Sequence, residues 1–133
     1  MTTDLDALFS AALGARAQAH APYSRFPVGA ALRDEHGRIH SGCNVENAAY
    51  PVGTCAEAGA IAAMVAGGGR RIRAILVLAA GARLVTPCGA CRQRIREFAD
   101  PATPIHAAGP GGVLARFTLE ELLPASFGPE TLG

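Results

Sequence analysis

The sequence predicts a layered α/β domain built on a mixed sheet, with residues 1–133 forming a single unit. Three observations point there. A length of 133 residues suits one domain. Half of the residues are hydrophobic, enough to bury a core without disulfides. Segments with helical apolar spacing alternate with segments of period two or continuous apolarity, in the order α-β-β-α-β-α-β-α.

Residues 4–20 read as the first helix. Asp4 is its candidate N-cap, Leu5, Leu8, Phe9, Ala12 and Leu13 give helical spacing, and Pro22 lies just past its end. Arg25 to Arg33 carries Phe26, Val28, Ala30 and Leu32 at period two and reads as a strand. Asp34-Glu35-His36-Gly37 is a turn, and Arg38 to Val45 returns as the antiparallel partner. Residues 46–54, with Asn47, Pro51 and Gly53, read as irregular.

Cys55 to Ala66 is Ala-rich and free of proline, a helix ended by Gly67-Gly68-Gly69. Gly59 inside it costs about 1 kcal/mol against Ala and points to a close packing contact. Ile72 to Ala80 is a buried strand by its continuous apolarity. Cys88 to Phe98 reads as a helix with Ile95 and Phe98 inward and Arg92, Arg94 and Arg96 mostly outward. Thr103 to Ala107 is a short strand, and Gly109-Pro110-Gly111-Gly112 a loop. Thr118-Leu119-Glu120-Glu121 is a capping box before a short helix that stops near Pro124, and the tail reads as irregular. The first strand pair is expected to be antiparallel and the later, helix-separated strands parallel.

Formal net charge is +1, which gives no reason to expect nucleic acid or an acidic membrane as partner. Arg70, Arg71 and Arg73 are too few for a polynucleotide groove and read as a solvated corner. No stretch of about 18 apolar residues occurs, so no membrane span is expected. The start MTTDLDALFS has no basic region followed by an apolar run, so no signal peptide is expected. A cytoplasmic, reducing setting follows, where cysteines mean metal or catalysis more often than disulfides.

The chemistry concentrates in Cys55-Ala56-Glu57 and Pro87-Cys88-Gly89-Ala90-Cys91. Zinc favours thiolates, and its catalytic sites take three protein ligands and leave the fourth position open. Cys55 and Cys88 both fall at predicted helix starts. The partial positive charge there lowers thiol pKa values and offsets thiolate charge. Glu57, two residues past Cys55, is placed to exchange protons with a water activated by the metal. Blander readings stand beside this one. Cys88 and Cys91 could be a redox pair. A closed structural zinc could recruit Cys43, His20, His36, His40 or His106. Glu57 could be a solvated helix residue. Cys43 reads as a small buried hydrophobe, and the four histidines, which lack metal spacing, as surface residues.

The two stretches match the zinc deaminase signature. Phe26-Pro27-Val28-Gly29-Ala30-Ala31, the run Gly42 to Tyr50 (GCNVENAAY), Cys55-Ala56-Glu57, Pro87 to Gln93 (PCGACRQ), Leu122-Leu123-Pro124 and Phe127 occur in family order. Over almost its whole length the chain resembles the small homotetrameric cytidine deaminases with a three-cysteine zinc site.

That resemblance implies a three-layer α-β-α sandwich with a mixed five-stranded sheet. It implies hydrolysis of cytidine and 2′-deoxycytidine to uridine and 2′-deoxyuridine in pyrimidine salvage, with one Zn2+ per subunit on Cys55, Cys88 and Cys91. Glu57 is then the proton carrier. Asn44 and Glu46 bind ribose hydroxyls, and Phe26 packs on base or sugar. The Ala56 N–H binds the ring carbonyl, Val45 and Tyr50 belong to the substrate wall, and Phe127 closes a neighbouring subunit's pocket. By pattern alone Phe26 would be core, Asn44 and Glu46 turn and surface residues, and Phe127 a docking hydrophobe.

One position departs from the family. Many three-cysteine members carry Arg directly after the catalytic Glu, hydrogen-bonded to the thiolates; here it is Ala58. Helix N-termini and Arg92 are the expected sources of compensating charge. Two other functions stay open on sequence: a related aminopyrimidine nucleoside deaminase of the blasticidin type, and a non-catalytic zinc-binding module on the same scaffold.

Overall fold

A computed structural model describes residues 3–81 and 83–133. In chain order the elements are α1 (Asp4–Arg16), β1 (Gly29–Asp34), β2 (Ile39–Cys43), α2 (Ala56–Ala66), β3 (Ile72–Leu78), α3 (Gly89–Phe98), β4 (Pro104–Gly109), β5 (Gly112–Thr118) and α4 (Leu119–Leu122). Short 3-10 turns cover Tyr50–Val52 and Pro129–Leu132. Among the described residues no helix is long and apolar enough to cross a membrane.

The five strands form one sheet in the order β2-β1-β3-β4-β5. Only β3 and β4 run parallel, joined across α3; β1 is antiparallel to β2 and to β3, and β5 to β4. The mixed five-stranded sheet is as expected, but parallel pairing covers just one of the later junctions.

Period two along the central strands sorts the core into two faces. Ala30, Leu32, Ile75, Val77 and Ile105 face Ala60, Met64 and Ile95 of α2 and α3. Ala31, Leu76, Leu78 and Ala108 face Leu8 and Ala12 of α1. Three layers result. Gly42 sets how closely α2 lies on the sheet: a Cβ there would stand 2.4 Å from the Ala60 nitrogen and 2.7 Å from the Gly59 carbonyl carbon. The helix does approach the sheet closely at Gly59, but a Cβ on Gly59 itself would meet the Gly42 Cα at an ordinary 3.4 Å, so the glycine the packing requires is Gly42.

Several boundaries differ from the sequence reading. Thr3, not Asp4, caps α1, through a capping box with Asp6. The helix ends at Arg16 rather than residue 20. The chain turns there to pair His20 with the 44–46 segment, through His20 N–H to the Asn44 carbonyl at 3.0 Å and Glu46 N–H to the His20 carbonyl at 2.8 Å. The first strand begins at Gly29, because Arg25 takes a left-handed conformation (φ 55°) that breaks extension ahead of Phe26. β5 has no counterpart in the sequence reading, which assigns a loop to 109–112 and no element to 113–117; it is an edge strand with Val113 and Leu114 exposed, so it lacks the clean alternation of a half-buried strand. The capping box at Thr118 forms as expected.

Two polar residues contradict their predicted placement. Arg96 is buried, not outward: its guanidinium pairs with Glu130 and donates to Ser126 Oγ at 2.9 Å, fastening the C-terminal tail onto α3. His40 is no free surface histidine, since its Nε2 lies 2.8 Å from the buried carboxylate of Asp34. That carboxylate also accepts from the backbone N–H groups of His36 (2.8 Å) and Arg38 (3.0 Å) and from Arg38 Nε (3.2 Å). Burial opposes its ionisation. The His40 contact, the two N–H donors and the Arg38 charge outweigh burial and hold the carboxyl far below the usual carboxylate range. The network locks the β1–β2 hairpin at the end of β1 away from Val28.

Candidate active site

α2 and α3 begin side by side, and each begins at a cysteine. Cys55 is the N-cap of α2 and Cys88 the N-cap of α3, both with extended backbone, while Cys91 sits in the first turn of α3. The three sulfurs lie within 4.8 Å of one another. A tetrahedral zinc with Zn–S near 2.3 Å holds its sulfurs about 3.8 Å apart, so the donor set fits such an ion in number, softness and spacing. Cys88 is exposed, Cys55 half-buried and Cys91 buried. Burial pushes the Cys55 and Cys91 thiols up, whereas the Cys91 backbone N–H facing Cys88 holds that thiol down. None of Cys43, His20, His36, His40 and His106 joins this group, so among the described residues a closed four-ligand site is not formed.

Glu57 lies in the first turn of α2 and is only 4% exposed. Burial pushes its carboxyl above the ordinary value. It is not a solvated helix residue.

Glu57, Cys55, Cys88 and Ala56 line one end of a cavity of about 350 Å3. Phe26, Asn44 and Glu46 line the same cavity, so the structure brings seven of the eleven predicted site residues to one hollow. Cys91 stands behind it with its sulfur in the thiol cluster. Val45, Tyr50 and Phe127 do not line it within a single chain. Tyr50 is 74% exposed and edges an adjoining hollow with Tyr23, Ser24 and Glu46, its ring 5.8 Å from that of Tyr23. Phe127 is 56% exposed, its carbonyl accepting from Gln93 Nε2 at 2.9 Å.

The polar wall is organised from within. Asn44 Oδ1 accepts from the Val28 N–H at 2.9 Å, and its Nδ2 donates to the Phe26 carbonyl at 3.0 Å. This amide thus holds the Phe26 segment while keeping a second N–H and a second lone pair. Glu46 accepts from the Tyr23 and Ser24 N–H groups at 3.0 and 3.1 Å and from the Ser24 hydroxyl, which lowers its carboxyl pKa. The Ser24 hydroxyl also accepts from the Phe26 N–H at 3.0 Å. Ser24 escaped the sequence reading, as did the lining residues Thr54 and Thr86. The available signal was a Ser two residues before a predicted pocket aromatic, the spacing of a hydroxyl-capped turn.

The charge compensation expected of Arg92 is not what the structure shows. Its guanidinium is spent on the Pro87 and Leu122 carbonyls, both at 2.7 Å, and on Thr86 Oγ1 at 2.8 Å. Arg94 Nη1 instead lies 3.3 Å from Cys91 Sγ.

Three thiols fit for zinc and a buried carboxyl beside a walled cavity are the parts of a metal-dependent hydrolase centre on an α/β sandwich. The family model for the cytidine and deoxycytidylate deaminase zinc-binding region matches residues 2–107. The chain is 43% identical over 129 residues to a cytidine deaminase of Sporosarcina psychrophila, covering 97% of this chain and 95% of that one. Its fold matches the crystal structure of cytidine deaminase from Burkholderia pseudomallei with a TM-score of 0.84 at 41% identity, over 91% of this chain and 97% of the other. The cytidine deaminase structure from Mycobacterium tuberculosis matches with a TM-score of 0.82 at 37% identity, over 95% and 98%. The chain belongs to the cytidine and deoxycytidylate deaminase family.

Proposed function

We propose that this chain hydrolyses the exocyclic amine of cytidine and 2′-deoxycytidine, giving uridine or 2′-deoxyuridine and ammonia, as a step of pyrimidine salvage in the cytoplasm. The observation that carries the reading is the buried Glu57 carboxyl in the same cavity as Cys55, Cys88, Phe26, Asn44 and Glu46.

Cys55, Cys88 and Cys91 would hold one Zn2+ per subunit, which supplies Lewis acidity and activates water. Glu57 accepts one proton from the attacking water and passes it to ring N3, then takes the second proton of the same oxygen, now the C4 hydroxyl, and passes it to the departing amine, which leaves as ammonia while the C4 carbonyl forms. Its raised pKa suits both directions. The Ala56 N–H, in the unpaired first turn of α2, is free to donate to the ring carbonyl. Phe26 packs on the flat substrate. Asn44 and Glu46 receive the ribose hydroxyls with the hydrogen-bonding capacity their own backbone contacts leave over.

Val45, Tyr50 and Phe127 complete the pocket in a homotetramer, where surfaces exposed in one chain meet another. Their exposure supports this: 48%, 74% and 56% in a lone chain. An intact Glu57 disfavours a non-catalytic zinc module, and the Asn44–Glu46 wall disfavours a substrate without ribose.

The test is ultraviolet absorbance of the purified protein with cytidine, with and without a zinc chelator. Conversion is expected only without the chelator. No conversion under either condition overturns the reading.

A further inference from the structure

We propose that Arg94 is the charge-balancing residue of the thiolate site, a positioning residue that makes three adjacent thiolates compatible with one zinc ion. The inference rests on the zinc reading above.

Loading the site exchanges three thiol protons for one dication. The cluster therefore becomes more negative by one charge, inside a region where Cys91 is buried and Cys55 half-buried. A negative charge added there needs a cation or several donors close by. The first turns of α2 and α3 supply partial charges only. Among the described residues, the cationic side chain in hydrogen-bond contact with one of these sulfurs is Arg94, at 3.3 Å from Cys91 Sγ. Arg92, two residues earlier, is turned to carbonyls.

The placement follows from helix geometry. Arg94 is three residues past Cys91, so it lies one turn along the same face of α3. Position 58 is three residues past Cys55, the cap of α2, and carries only Ala58, which has no charge to offer. The guanidinium in contact with the cluster is therefore supplied from α3. The charge matters here, since sulfur accepts a charge-assisted N–H bond and thereby donates less electron density to the metal.

The test compares the parent with Arg94→Ala, Arg94→Lys and the double variant Arg94→Ala/Ala58→Arg. Zinc affinity is read by competition with a chromophoric chelator at fixed pH, and the cobalt-substituted proteins are read by their thiolate-to-metal charge-transfer band. Arg94→Ala is expected to lose roughly 10-fold or more in zinc affinity and in kcat, as removal of an outer partner of a metal ligand commonly does. Its charge-transfer band is expected to move to longer wavelength. Arg94→Lys and the relocated arginine are each expected to recover most of the zinc affinity. Melting of the metal-stripped proteins is expected to be alike, because the Arg94 side chain is exposed. Zinc affinity and band position in Arg94→Ala equal to the parent's would overturn the proposal while leaving the deaminase reading intact. A parent that takes up no zinc would overturn both.

Discussion

The thiolate end of the cavity and its loop wall are built by different means. At the thiolate end, Cys55, Glu57, Cys88 and Cys91 all sit on the opening residues of two helices whose far sides are core. Ala56, Ala60 and Met64 of α2, and Ile95 of α3, are fully buried. The positions of these groups are fixed by the same packing that holds the domain together. On the loop wall, Phe26, Asn44 and Glu46 belong to segments outside regular structure or at strand ends, held by side chain-to-backbone hydrogen bonds. Apolar rings at its rim are left in solvent. The thiol cluster and Glu57 thus rest on packed helix starts, and the facing wall on loops that leave apolar surface exposed in a single chain.

The strongest attempt to break that division is Glu57→Gln. It keeps size and hydrogen bonding but cannot carry a proton. Turnover should fall by roughly 10³-fold or more, with zinc content, cytidine affinity and melting temperature close to the parent's. Near-normal turnover would remove Glu57 as the proton carrier.

Asn44→Ala probes the loop wall. Two backbone groups lose their partner, and a ribose contact is lost with them. A fall of about 10²-fold in kcat/KM is expected, carried mainly by KM, with a stability loss of about 2 kcal/mol. Zinc content unchanged alongside a damaged KM would sharpen the comparison; loss of zinc would show that the two regions are not separable.

Phe127→Ala acts one step further out. If it closes a neighbouring subunit's pocket as proposed, KM for cytidine should rise by about 10-fold through lost apolar contact, worth roughly 1.4 kcal/mol. The melting temperature of an isolated subunit should hardly move, given how exposed the ring is. An unchanged KM would place this residue outside the pocket.

Asp34→Asn should have the smallest effect on turnover, because the network lies at the other end of β1 from the cavity. Its effect is on stability, by roughly 3 kcal/mol at neutral pH. The folded carboxyl has a depressed pKa. Its contribution is therefore present in full above the unfolded value near about 3.9 and lost as pH falls below it. Denaturant unfolding should show a shallower acid limb in Asp34→Asn than in the parent. Equal slopes below pH ~4 would remove Asp34 from that role.

Much of this was legible in the chain. Cys55, Glu57, Cys88 and Cys91 announce themselves, because their roles depend on spacings of two or three residues that a helix start converts directly into proximity. Phe26, Val28, Ala30 and Leu32 suggest a strand for the same reason, since period two is a local property, while the continuous apolarity of Ile72 to Ala80 marks a buried strand without saying which residue faces which layer. Asn44, Glu46 and Phe26, which the structure brings to the cavity, were singled out only through resemblance, since their spacing fits turn, surface and core equally well; Phe127 does not line it.

Tertiary structure alone decided the rest. It decided that Arg94 and not Arg92 meets a sulfur, because two arginines two residues apart on one helix point to different surroundings that no sequence pattern distinguishes. It decided that Arg96 is buried under the tail and that His40 is bound to Asp34, because each partner comes from a separate segment of the chain. It also turned Gly112–Thr118 into an edge strand, whose existence depends on β4 lying beside it. What recurs at a fixed local interval is written in the sequence; what depends on which segment arrives alongside is settled only when the chain has packed.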